Sequence, residues 1–285
     1  MKPSTFNSAG YKEEIRRSWQ IYAEGWRRWM PVIQAWMSPA TELMLDLARI
    51  GPGKRVLDVA AGDGDQSLAA AARVGSQGYV LATDLTPEML VYARRAADLA
   101  GLDNLETRTM DGETLQLEDG MFDAVICRLG LMFFPDYQKG LAEMWRVLKP
   151  EGRAALVIFS TPERTPFFSI PISIIRRAAQ LPQPDPAQPS LFKLGERGVL
   201  ETALSRAGFV QVETHILSVP LRLSSLDECL RFEKEALPVV GQMIASLDEA
   251  QQQVVWAEIR HALSPYQGSQ DFSSPAEVIV GVGTK

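Results

Sequence analysis

The chain has 285 residues, of which 46% are hydrophobic and 22% are charged, a composition typical of a globular protein with a substantial core. Its formal net charge is −6 and no predicted element carries a lysine and arginine cluster, which argues against an enzyme of nucleic acids. Cys127 and Cys229 are too far apart for a zinc or disulfide motif and suit a reducing compartment. Residues 1–10 lack the apolar core of a signal peptide, and no apolar run has membrane-spanning length, so we predict a cytoplasmic location.

A first helix is predicted over residues 11–30, because apolar residues recur there at spacings of three and four. Its apolar face is mostly aromatic and consists of Ile15, Trp19, Tyr22, Trp26 and Trp29. Pro31 is expected to end or kink this helix. The face either only packs on the domain or also covers a bound ligand and forms part of an aromatic substrate wall.

A second helix is predicted from Pro39 to about Ile50. Ser38 stands at its N-cap, a proline occupies the first helical position, and Gly51 follows as a stop signal. Residues 1–50 therefore read as a helical cap that precedes the first strand.

Residues 55–73 read as a strand, a tight turn and an alanine-rich helix. The turn contains Gly62 and Gly64, which lack a Cβ, so its backbone can take a positive φ and approach a ligand closely. Three carboxylates share the turn, namely Asp58, Asp63 and Asp65. Like charges about 4 Å apart repel by about 4 kcal/mol at an effective dielectric constant of about 20, so the turn disfavours a pyrophosphate and favours a cationic ligand.

The second predicted strand, residues 78–84, also ends in a carboxylate. Asp84 lies twenty residues after Gly64, which is the spacing at which an acidic side chain accepts ribose hydroxyls in dinucleotide-binding folds. Thr86 as N-cap and Pro87 at the first helical position then begin the next helix. The two strand ends together predict a nucleoside site.

The pattern Asp58-x-Ala60-x-Gly62-x-Gly64 resembles motif I of the class I S-adenosylmethionine-dependent methyltransferases, with Ala60 in place of the first glycine of that motif. Residues 84–90, Asp-Leu-Thr-Pro-Glu-Met-Leu, resemble the second motif of the same family. The resemblance implies S-adenosylmethionine as the cofactor, whose ammonium and sulfonium groups suit the acidic turn.

The same resemblance assigns roles to the residues that follow the third predicted strand, residues 105–110. Asp111 would accept the adenine amino hydrogen and the N–H of Gly112 would meet a ring nitrogen, whereas Glu113 is expected to be solvated. The implied cofactor-binding residues are Asp58, Ala60, Gly62, Gly64, Asp84, Leu85, Met89, Asp111, Gly112 and Arg128.

Arg128 ends the fourth predicted strand, residues 122–128. By the resemblance, its carbonyl would face the methionine ammonium. Its guanidinium could bind the methionine carboxylate or a substrate anion, or it could pair with a surface acid. Residues 129–134 are expected to form the floor between cofactor and substrate.

Residues 141–152 resemble a segment of the ubiquinone and menaquinone C-methyltransferases. They overlap an amphipathic helix over 137–148 and a turn over 149–152 that leads into a fifth strand over 153–159. Five strand-and-helix units in succession predict an α/β fold with a parallel sheet and right-handed crossovers. We therefore expect a Rossmann-like, seven-stranded, mostly parallel sheet with helices on both faces, and a cofactor-binding core over residues 51–160.

The alternation of strands and helices breaks after residue 160. Residues 161–195 read as a loop-rich insertion, because prolines stand at 182, 184, 186 and 189. The remaining elements of the C-terminal part, residues 196–285, are a helix over 196–206, a long sixth strand over 209–223 with a kink at Pro220, two helices over 226–237 and 247–263, and a final strand over 276–282. In the family, the final strand lies antiparallel beside the fifth.

The two late helices follow from two predicted capping boxes. Ser225 stands three residues before Glu228, and Ser246 stands three residues before Glu249. We assign these helices as a substrate lid over about residues 225–266.

The predicted reaction is methyl transfer from S-adenosylmethionine to an O, N or C nucleophile of a small, partly apolar metabolite. The sequence carries no motif of the exocyclic-amine or cytosine-C5 nucleic-acid methyltransferases, no arsenite-binding cysteine cluster and no divalent-metal set, so we expect no metal. Candidates for a base are His215, His261, Tyr22 and Tyr137. No pattern pairs the histidines with an orienting carboxylate, so no catalytic residue is assigned.

Two alternatives stay open at this point. Gly62-x-Gly64-x-x-Ser67 partly matches the dinucleotide fingerprint of a nicotinamide-dependent oxidoreductase, although the missing third glycine and the acidic turn disfavour it. The lack of an identifiable base also leaves room for a non-catalytic S-adenosylmethionine-binding protein.

Overall fold

The computed structural model describes residues 6–182, 185 and 187–285 of the chain. Its α-helices are α1 (Ser8–Arg28), α2 (Met30–Leu47), α3 (Asp65–Val74), α4 (Pro87–Leu99), α5 (Tyr137–Val147), α6 (Pro166–Ala178), α7 (Val199–Arg206), α8 (Leu226–Ala236), α9 (Pro238–Ile244) and α10 (Glu249–Leu263). Its β-strands are β1 (Arg55–Val59), β2 (Tyr79–Asp84), β3 (Leu105–Thr109), β4 (Phe122–Arg128), β5 (Leu148–Phe159), β6 (Val210–Ser218), β7 (Leu221–Leu223), β8 (Phe272–Ser274) and β9 (Glu277–Thr284). Of the helices in this described part, none combines the length and the apolar character needed to cross a bilayer.

Seven strands form one sheet in the order β3-β2-β1-β4-β5-β9-β6. The first five are parallel neighbours, so that Val56 of β1 pairs with Val80 of β2 on one side and with Ala124 of β4 on the other. Strand β9 runs antiparallel between β5 and β6. This order confirms the predicted Rossmann-like α/β fold, including the final strand beside the fifth.

Each face of the sheet carries its own hydrophobic core, because successive strand residues point to opposite faces. Val56 and Val80 belong to one core, together with buried side chains of α2, α3, α6 and α8. Leu57 and Leu81 belong to the other core, together with α5 and α7. Helices therefore cover both faces, as the strand-and-helix alternation predicts.

The N-terminal helices differ from the prediction. Trp29 alone separates α1 from α2. The prediction of a helix that begins at Pro39 with Ser38 as N-cap is wrong, because α2 begins at Met30 and Pro39 lies inside it. Pro31 lies in the first turn of α2, where its missing N–H would have no helical acceptor, so it starts a helix instead of ending one.

The segment predicted as a loop-rich insertion contains α6, a helix of 13 residues. Pro166 lies in its first turn and Pro171 lies inside it, and the helix buries its apolar face against α9 and α10. That burial offsets the hydrogen bond that an internal proline removes. Pro184 and Pro186 of the predicted loop lie outside the described residues, as do residues 1–5 of the predicted cap.

The predicted sixth strand is two strands, β6 and β7. Strand β6 pairs with β9 in the main sheet, whereas β7 pairs with β8 in a separate two-stranded sheet. Pro220 lies between them, and because proline has no N–H to donate to a strand ladder, it marks the point where the chain leaves the main sheet.

One of the two predicted capping positions is confirmed. The Glu228 N–H donates to the Ser225 hydroxyl at 3.2 Å, and α8 begins there. Helix α10 instead has a capping box of Asp248 with Gln251, so the predicted box that starts at Ser246 is wrong. The connection between these helices contains a further helix, α9, which the sequence analysis does not predict.

Two glycines bring α8 and α9 into direct contact with α1. A Cβ added to Gly25 would lie 1.8 Å from the carbonyl oxygen of Glu235, and one added to Gly241 would lie 1.5 Å from the Tyr22 hydroxyl oxygen. Because no side chain would fit at either glycine, the three helices form one closely packed layer, which we call the helical layer.

Glu233 of α8 lies in the interior of the helical layer. It is 0% exposed, and neither of its carboxyl oxygens has a hydrogen-bond partner among the residues that the structure describes. Burial raises the pKa of Glu233 well above its ordinary value. There is therefore a pH range in which the Glu233 carboxyl is neutral in the folded protein and ionised in the unfolded chain.

We expect Glu233→Gln to remove a pH-dependent loss of stability. Above pH 4.5 the unfolded chain releases this proton and the folded chain retains it. The free energy of unfolding should therefore fall as pH rises, by up to about 1.4 kcal/mol per pH unit, until the raised pKa is reached. Urea unfolding should show the variant and the native protein close to equal at about pH 4, and the variant more stable at about pH 8.

The exposed Glu118 supplies the matched control for this experiment, since Glu118→Gln should leave the pH dependence unchanged. A stability difference between native protein and Glu233→Gln that is the same at both pH values would contradict the ionisation account.

Candidate active site

A cavity of about 300 Å³ lies at the carboxyl ends of the parallel strands. Open α/β sheets bind their ligands at this edge. Eight of the ten predicted cofactor-binding residues line the cavity, namely Ala60, Gly62, Asp84, Leu85, Met89, Asp111, Gly112 and Arg128. Asp58 and Gly64 are not part of its wall. The contacts of all ten with a cofactor stay predictions.

The turn after β1 adopts a left-handed backbone at Ala60 and Gly62, where φ is +57° and +59°. This conformation costs a residue with a Cβ about 1–2 kcal/mol, a cost that glycine avoids. Gly130 makes the space that Ala60 needs, because a Cβ added to Gly130 would lie 2.4 Å from the Cβ of Ala60. The alanine that replaces the first glycine of motif I therefore fits because the facing position has no side chain.

Gly64 serves the packing of the turn. Its φ is +83°, and a Cβ added there would lie 2.6 Å from the Cβ of Ala93 in α4. The glycine at this position lets the turn approach α4, which is a structural role distinct from the ligand approach that the sequence predicts.

Asp58 at the end of β1 is fully buried behind the cavity wall. Its carboxylate accepts hydrogen bonds from the Ser67 hydroxyl at 2.5 Å and from the Gln66 amide at 3.3 Å. Burial raises the pKa of Asp58 to about 7. Asp58 therefore fixes the start of α3 against the glycine turn, and its charge has partners inside the protein.

Asp84 holds the glycine turn in place from the end of β2. Its carboxylate accepts the Gly62 N–H at 2.9 Å and the Thr86 N–H at 2.8 Å. Burial raises the pKa of Asp84. One carboxylate thus joins the turn after β1 to the start of α4. Its predicted hydrogen bond with ribose would add to the two that it already accepts.

The guanidinium of Arg128 pairs with an acidic side chain. The sequence left a surface acid open as its partner, but the acid in the structure is buried. Its Nη1 donates to Asp65 Oδ2 at 2.6 Å and to the Thr41 hydroxyl at 2.8 Å. Arg128 is 8% exposed and Asp65 is 6% exposed. Of the three carboxylates on the turn, Asp65 is therefore already neutralised by an arginine.

Lys12 of α1 lines the cavity and pairs with two carboxylates that follow β3. Its Nζ lies 2.6 Å from Asp111 Oδ2 and 2.6 Å from Glu113 Oε2. Burial acts to lower the pKa of Lys12, but hydrogen bonds to these two carboxylates outweigh burial and raise it. The expectation that Glu113 is solvated is wrong, because it is 4% exposed and also accepts the Asp136 N–H at 2.7 Å.

The cavity wall is poorly suited to a pyrophosphate. Among its described residues the basic side chains are Lys12 and Arg128, and both already pair with carboxylates. Helix α3 carries Asp65 in its first turn, so the Asp65–Arg128 ion pair already lies at the helix N-terminus that would otherwise attract an anion. The wall therefore suits a cationic ligand better than a dinucleotide.

Away from the glycine turn, aromatic and aliphatic side chains line the cavity. Trp19 and Trp26 of α1 pack edge to face with ring centroids 5.1 Å apart, and Trp19 reaches Phe133 at 6.1 Å. Trp36 of α2 stacks with Phe159 at the end of β5 at 6.0 Å. Helices α6, α8 and α9 contribute further apolar groups. We call this apolar part of the cavity the aromatic chamber.

The base candidates do not reach the described cavity wall. They are His215, His261, Tyr22 and Tyr137. His215 lies on β6 with its Nε2 3.7 Å from Glu213, and His261 is exposed on α10. Tyr22 packs against α9, and burial raises its pKa. Because a base must contact the acceptor or a water beside it, none of these residues has the required access.

The polar wall residues that the sequence analysis does not assign to the site include Lys12, Asp63 and Gln242. Lys12 lies three residues before Ile15, so the helical spacing of the aromatic face contains the signal for it. Asp63 enters the sequence analysis only as part of the acidic turn. Gln242 lies on α9, a helix that the sequence does not predict.

Part of the chain is similar in sequence to known methyltransferases. Residues 34–174 match the model of the ubiE/COQ5 methyltransferase family. The demethylmenaquinone methyltransferase of Deinococcus radiodurans is 44% identical over 111 residues, which cover 38% of this chain and 44% of that protein. The demethylmenaquinone methyltransferase of Clavibacter sepedonicus is 39% identical over 161 residues, which cover 56% and 58%. The chain therefore matches about half the length of these relatives.

A solved structure of similar fold is that of the YcgJ protein from Bacillus subtilis. It matches 87% of this chain and 98% of its own with a TM-score of 0.59 and 22% identity. At this identity the likeness shows that the fold is shared.

We expect Lys12→Met to loosen α1 over the cavity. The substitution removes the cation that bridges Asp111 and Glu113, and it leaves the buried Glu113 carboxylate without that partner. Amide hydrogen exchange of residues 8–28, followed by mass spectrometry, should be about tenfold faster than in the native protein, as for a loss of about 1.4 kcal/mol in a local opening equilibrium. Arg17→Met, at an exposed position of the same helix, is the control. Equal exchange in both variants would show that Lys12 does not hold α1 closed.

Proposed function

We propose that this chain transfers a methyl group to a small, partly apolar metabolite. We infer that its core is a class I S-adenosylmethionine-dependent methyltransferase domain similar to the ubiquinone and menaquinone C-methyltransferases. The observation that carries this proposal is one cavity with two kinds of wall. Strand ends with carboxylates line one part, and the aromatic chamber forms the other. A methyl donor and its acceptor need such neighbouring sites, because they react in one encounter.

The donor part of the cavity fits S-adenosylmethionine on the residues present. Asp84 and Asp111 present carboxylate acceptors at neighbouring strand ends, and Gly62 and Gly112 line the cavity with them. We assign Asp84 to the ribose hydroxyls, and Asp111 with Gly112 to the adenine edge. When bound, the cofactor supplies an electrophilic methyl group on a sulfonium leaving group.

The chain's own contribution to the reaction is mainly positioning. Direct displacement at a methyl group requires the nucleophile, the carbon and the leaving group in line, and held geometry supplies much of the rate gain. Leu129, Met132 and Phe133 line the cavity, and we assign residues 129–134 to the floor between its two parts. Helices α1, α8 and α9 of the helical layer contribute apolar side chains to the wall of the chamber.

The aromatic chamber favours a flat, largely apolar acceptor. Tryptophan and phenylalanine rings line the chamber, and contacts of such rings with another aromatic ring are worth about 0.5–1.5 kcal/mol each beyond burial. Gln242 adds a polar group to this wall and bonds to Ser18 of α1. The relatives named as demethylmenaquinone methyltransferases support an acceptor of the quinone type.

The site favours this function over a nicotinamide-dependent oxidoreductase. Ser67 occupies the place of the third glycine in the dinucleotide fingerprint, and its hydroxyl is bonded to Asp58. The basic residues of the wall are paired, which leaves a pyrophosphate without a cation. The net charge of −6 likewise argues against a nucleic-acid substrate.

A turnover assay tests the proposal. The protein is incubated with S-adenosylmethionine and a panel of hydroxylated aromatic and quinol-type acceptors, and release of S-adenosylhomocysteine is measured. We expect release with at least one acceptor and a loss of about 100-fold or more in Asp84→Ala, because that variant removes the ribose partner and two hydrogen bonds of the glycine turn.

Asp103→Ala, an exposed aspartate between α4 and β3, is the matched control and should retain full turnover. Binding of S-adenosylmethionine without turnover of any acceptor would instead favour a non-catalytic binding protein. Absence of binding in calorimetry would contradict the proposal as a whole.

A further inference from the structure

Strands β3 and β6 form the two edges of the main sheet. An edge strand has unpaired N–H and carbonyl groups along its outer side, and these can pair with a strand of another chain. Strand β3 is five residues long and carries an exposed ion pair, Arg108 with Glu106 at 2.6 Å. Arg94 of α4 also donates to the Leu105 carbonyl oxygen of this strand at 2.5 Å. A short length and charged side chains therefore protect β3 from pairing with a further strand.

Strand β6 is longer, and its outer edge is open. It has nine residues, none of which is lysine, arginine or proline, and none of which is buried. Ile216 is 62% exposed, although its side chain is large and apolar. In the described part of the chain, the backbone groups of residues 210–218 have no hydrogen bond to other backbone groups outside the ladder with β9. Strand β6 can therefore accept a further strand on its outer side.

The side chains of β6 differ between the two faces of the sheet. The Thr214 hydroxyl donates to a glutamate of α7, and Val212 and Ile216 share this face because side chains alternate along a strand. Glu213 and His215 lie on the opposite face. The His215 Nε2 lies 3.7 Å from Glu213 Oε2, which is too far for a hydrogen bond. The strand therefore presents two apolar residues on one face, and an acid and a histidine on the other.

We propose that β6 pairs with β6 of a second copy of this chain, antiparallel and about a two-fold axis at Thr214. A two-fold axis perpendicular to the sheet keeps every side chain on its own face, so one residue of β6 must oppose its own copy. With Thr214 in that position, Glu213 of each copy opposes His215 of the other. On the α7 face, Val212 of each copy opposes Ile216 of the other. Each opposed pair is thus complementary in charge or in polarity.

The neighbouring registers are less favourable. A two-fold axis at Glu213 would place two carboxylates opposite each other, and directly opposed like charges destabilise a strand pair. An axis one or two residues beyond Thr214 would place the Glu213 carboxylate opposite Leu217 or Val219, which are apolar. A bulge between Val210 and Glu213 limits regular pairing towards the start of the strand. Charge complementarity therefore selects Thr214 as the centre.

This interface would lie away from the cavity. In the sheet order, β5 and β9 separate β6 from β4, and no residue of β6 lines the cavity among the described residues. Each copy therefore keeps its own cavity, and the dimer does not depend on the proposed function.

Light scattering after size-exclusion chromatography tests for the dimer. The native protein, loaded at about 100 µM, should have twice the mass of one chain. Ile216→Lys places a charge opposite Val212 and at the open edge, so the dissociation constant of the dimer should rise by about tenfold or more. Val254→Lys is the matched control, because Val254 is an apolar residue on α10 that is 68% exposed. This variant should stay dimeric.

Two further variants test the register. Glu213→Lys opposes a cation to His215 and removes the acid, so it should weaken the dimer, and adding His215→Glu to the same chain should restore it. Thr214→Cys should form a disulfide between copies under mild oxidation, because only the residue at the axis opposes itself. Ile216→Cys should not do so. The native cysteines, Cys127 and Cys229, are buried and do not interfere.

A native protein that is monomeric at about 100 µM would overturn the proposal. A dimer that Ile216→Lys leaves intact, or that Val254→Lys weakens equally, would also overturn it, because the interface would then lie elsewhere. Crosslinking of Ile216→Cys without crosslinking of Thr214→Cys would contradict the axis at Thr214. None of these measurements uses turnover, so a failed dimer and a failed methyl transfer are told apart.

Discussion

The site depends on the Asp84 carboxylate, which accepts one N–H from the glycine turn and one from the start of α4. Both N–H groups would otherwise lie unsatisfied at the edge of the core, at a cost of about 1–3 kcal/mol each. By joining the ends of β1 and β2 in this way, Asp84 fixes the left-handed backbone at Ala60 and Gly62. The same turn then exposes its backbone to the cavity, and the alanine at position 60 fits because Gly130 faces it.

A second constraint comes from the helices that enclose the sheet edge. Helix α1 is tied to the end of β3 by Lys12, while Gly25 and Gly241 let α8 and α9 pack directly against it. The aromatic chamber is therefore built from elements that are distant in sequence but share one packed layer. The charged strand ends and the aromatic chamber are brought together by the packing of this layer on the Rossmann-like sheet.

The sheet and the location of the site follow from the sequence because the signals are local. Apolar runs define β1, β2 and β4, and glycine or aspartate marks the ends of the first two. Prolines mislead in α2 and α6, since a proline in the first turn of a helix and one inside a buried helix depend on tertiary packing. Charge partners also escape prediction. Asp65 meets an arginine 63 residues away, and Lys12 meets an aspartate 99 residues away.

The most direct test of the account is a crystal structure of the protein with S-adenosylhomocysteine. The account predicts the ribose hydroxyls within hydrogen-bonding distance of Asp84 and the adenine beside Asp111 and Gly112. A ligand bound outside this cavity, or bound within it with Asp84 and Asp111 both turned away, would contradict the assignment of the donor site and with it the proposed methyl transfer.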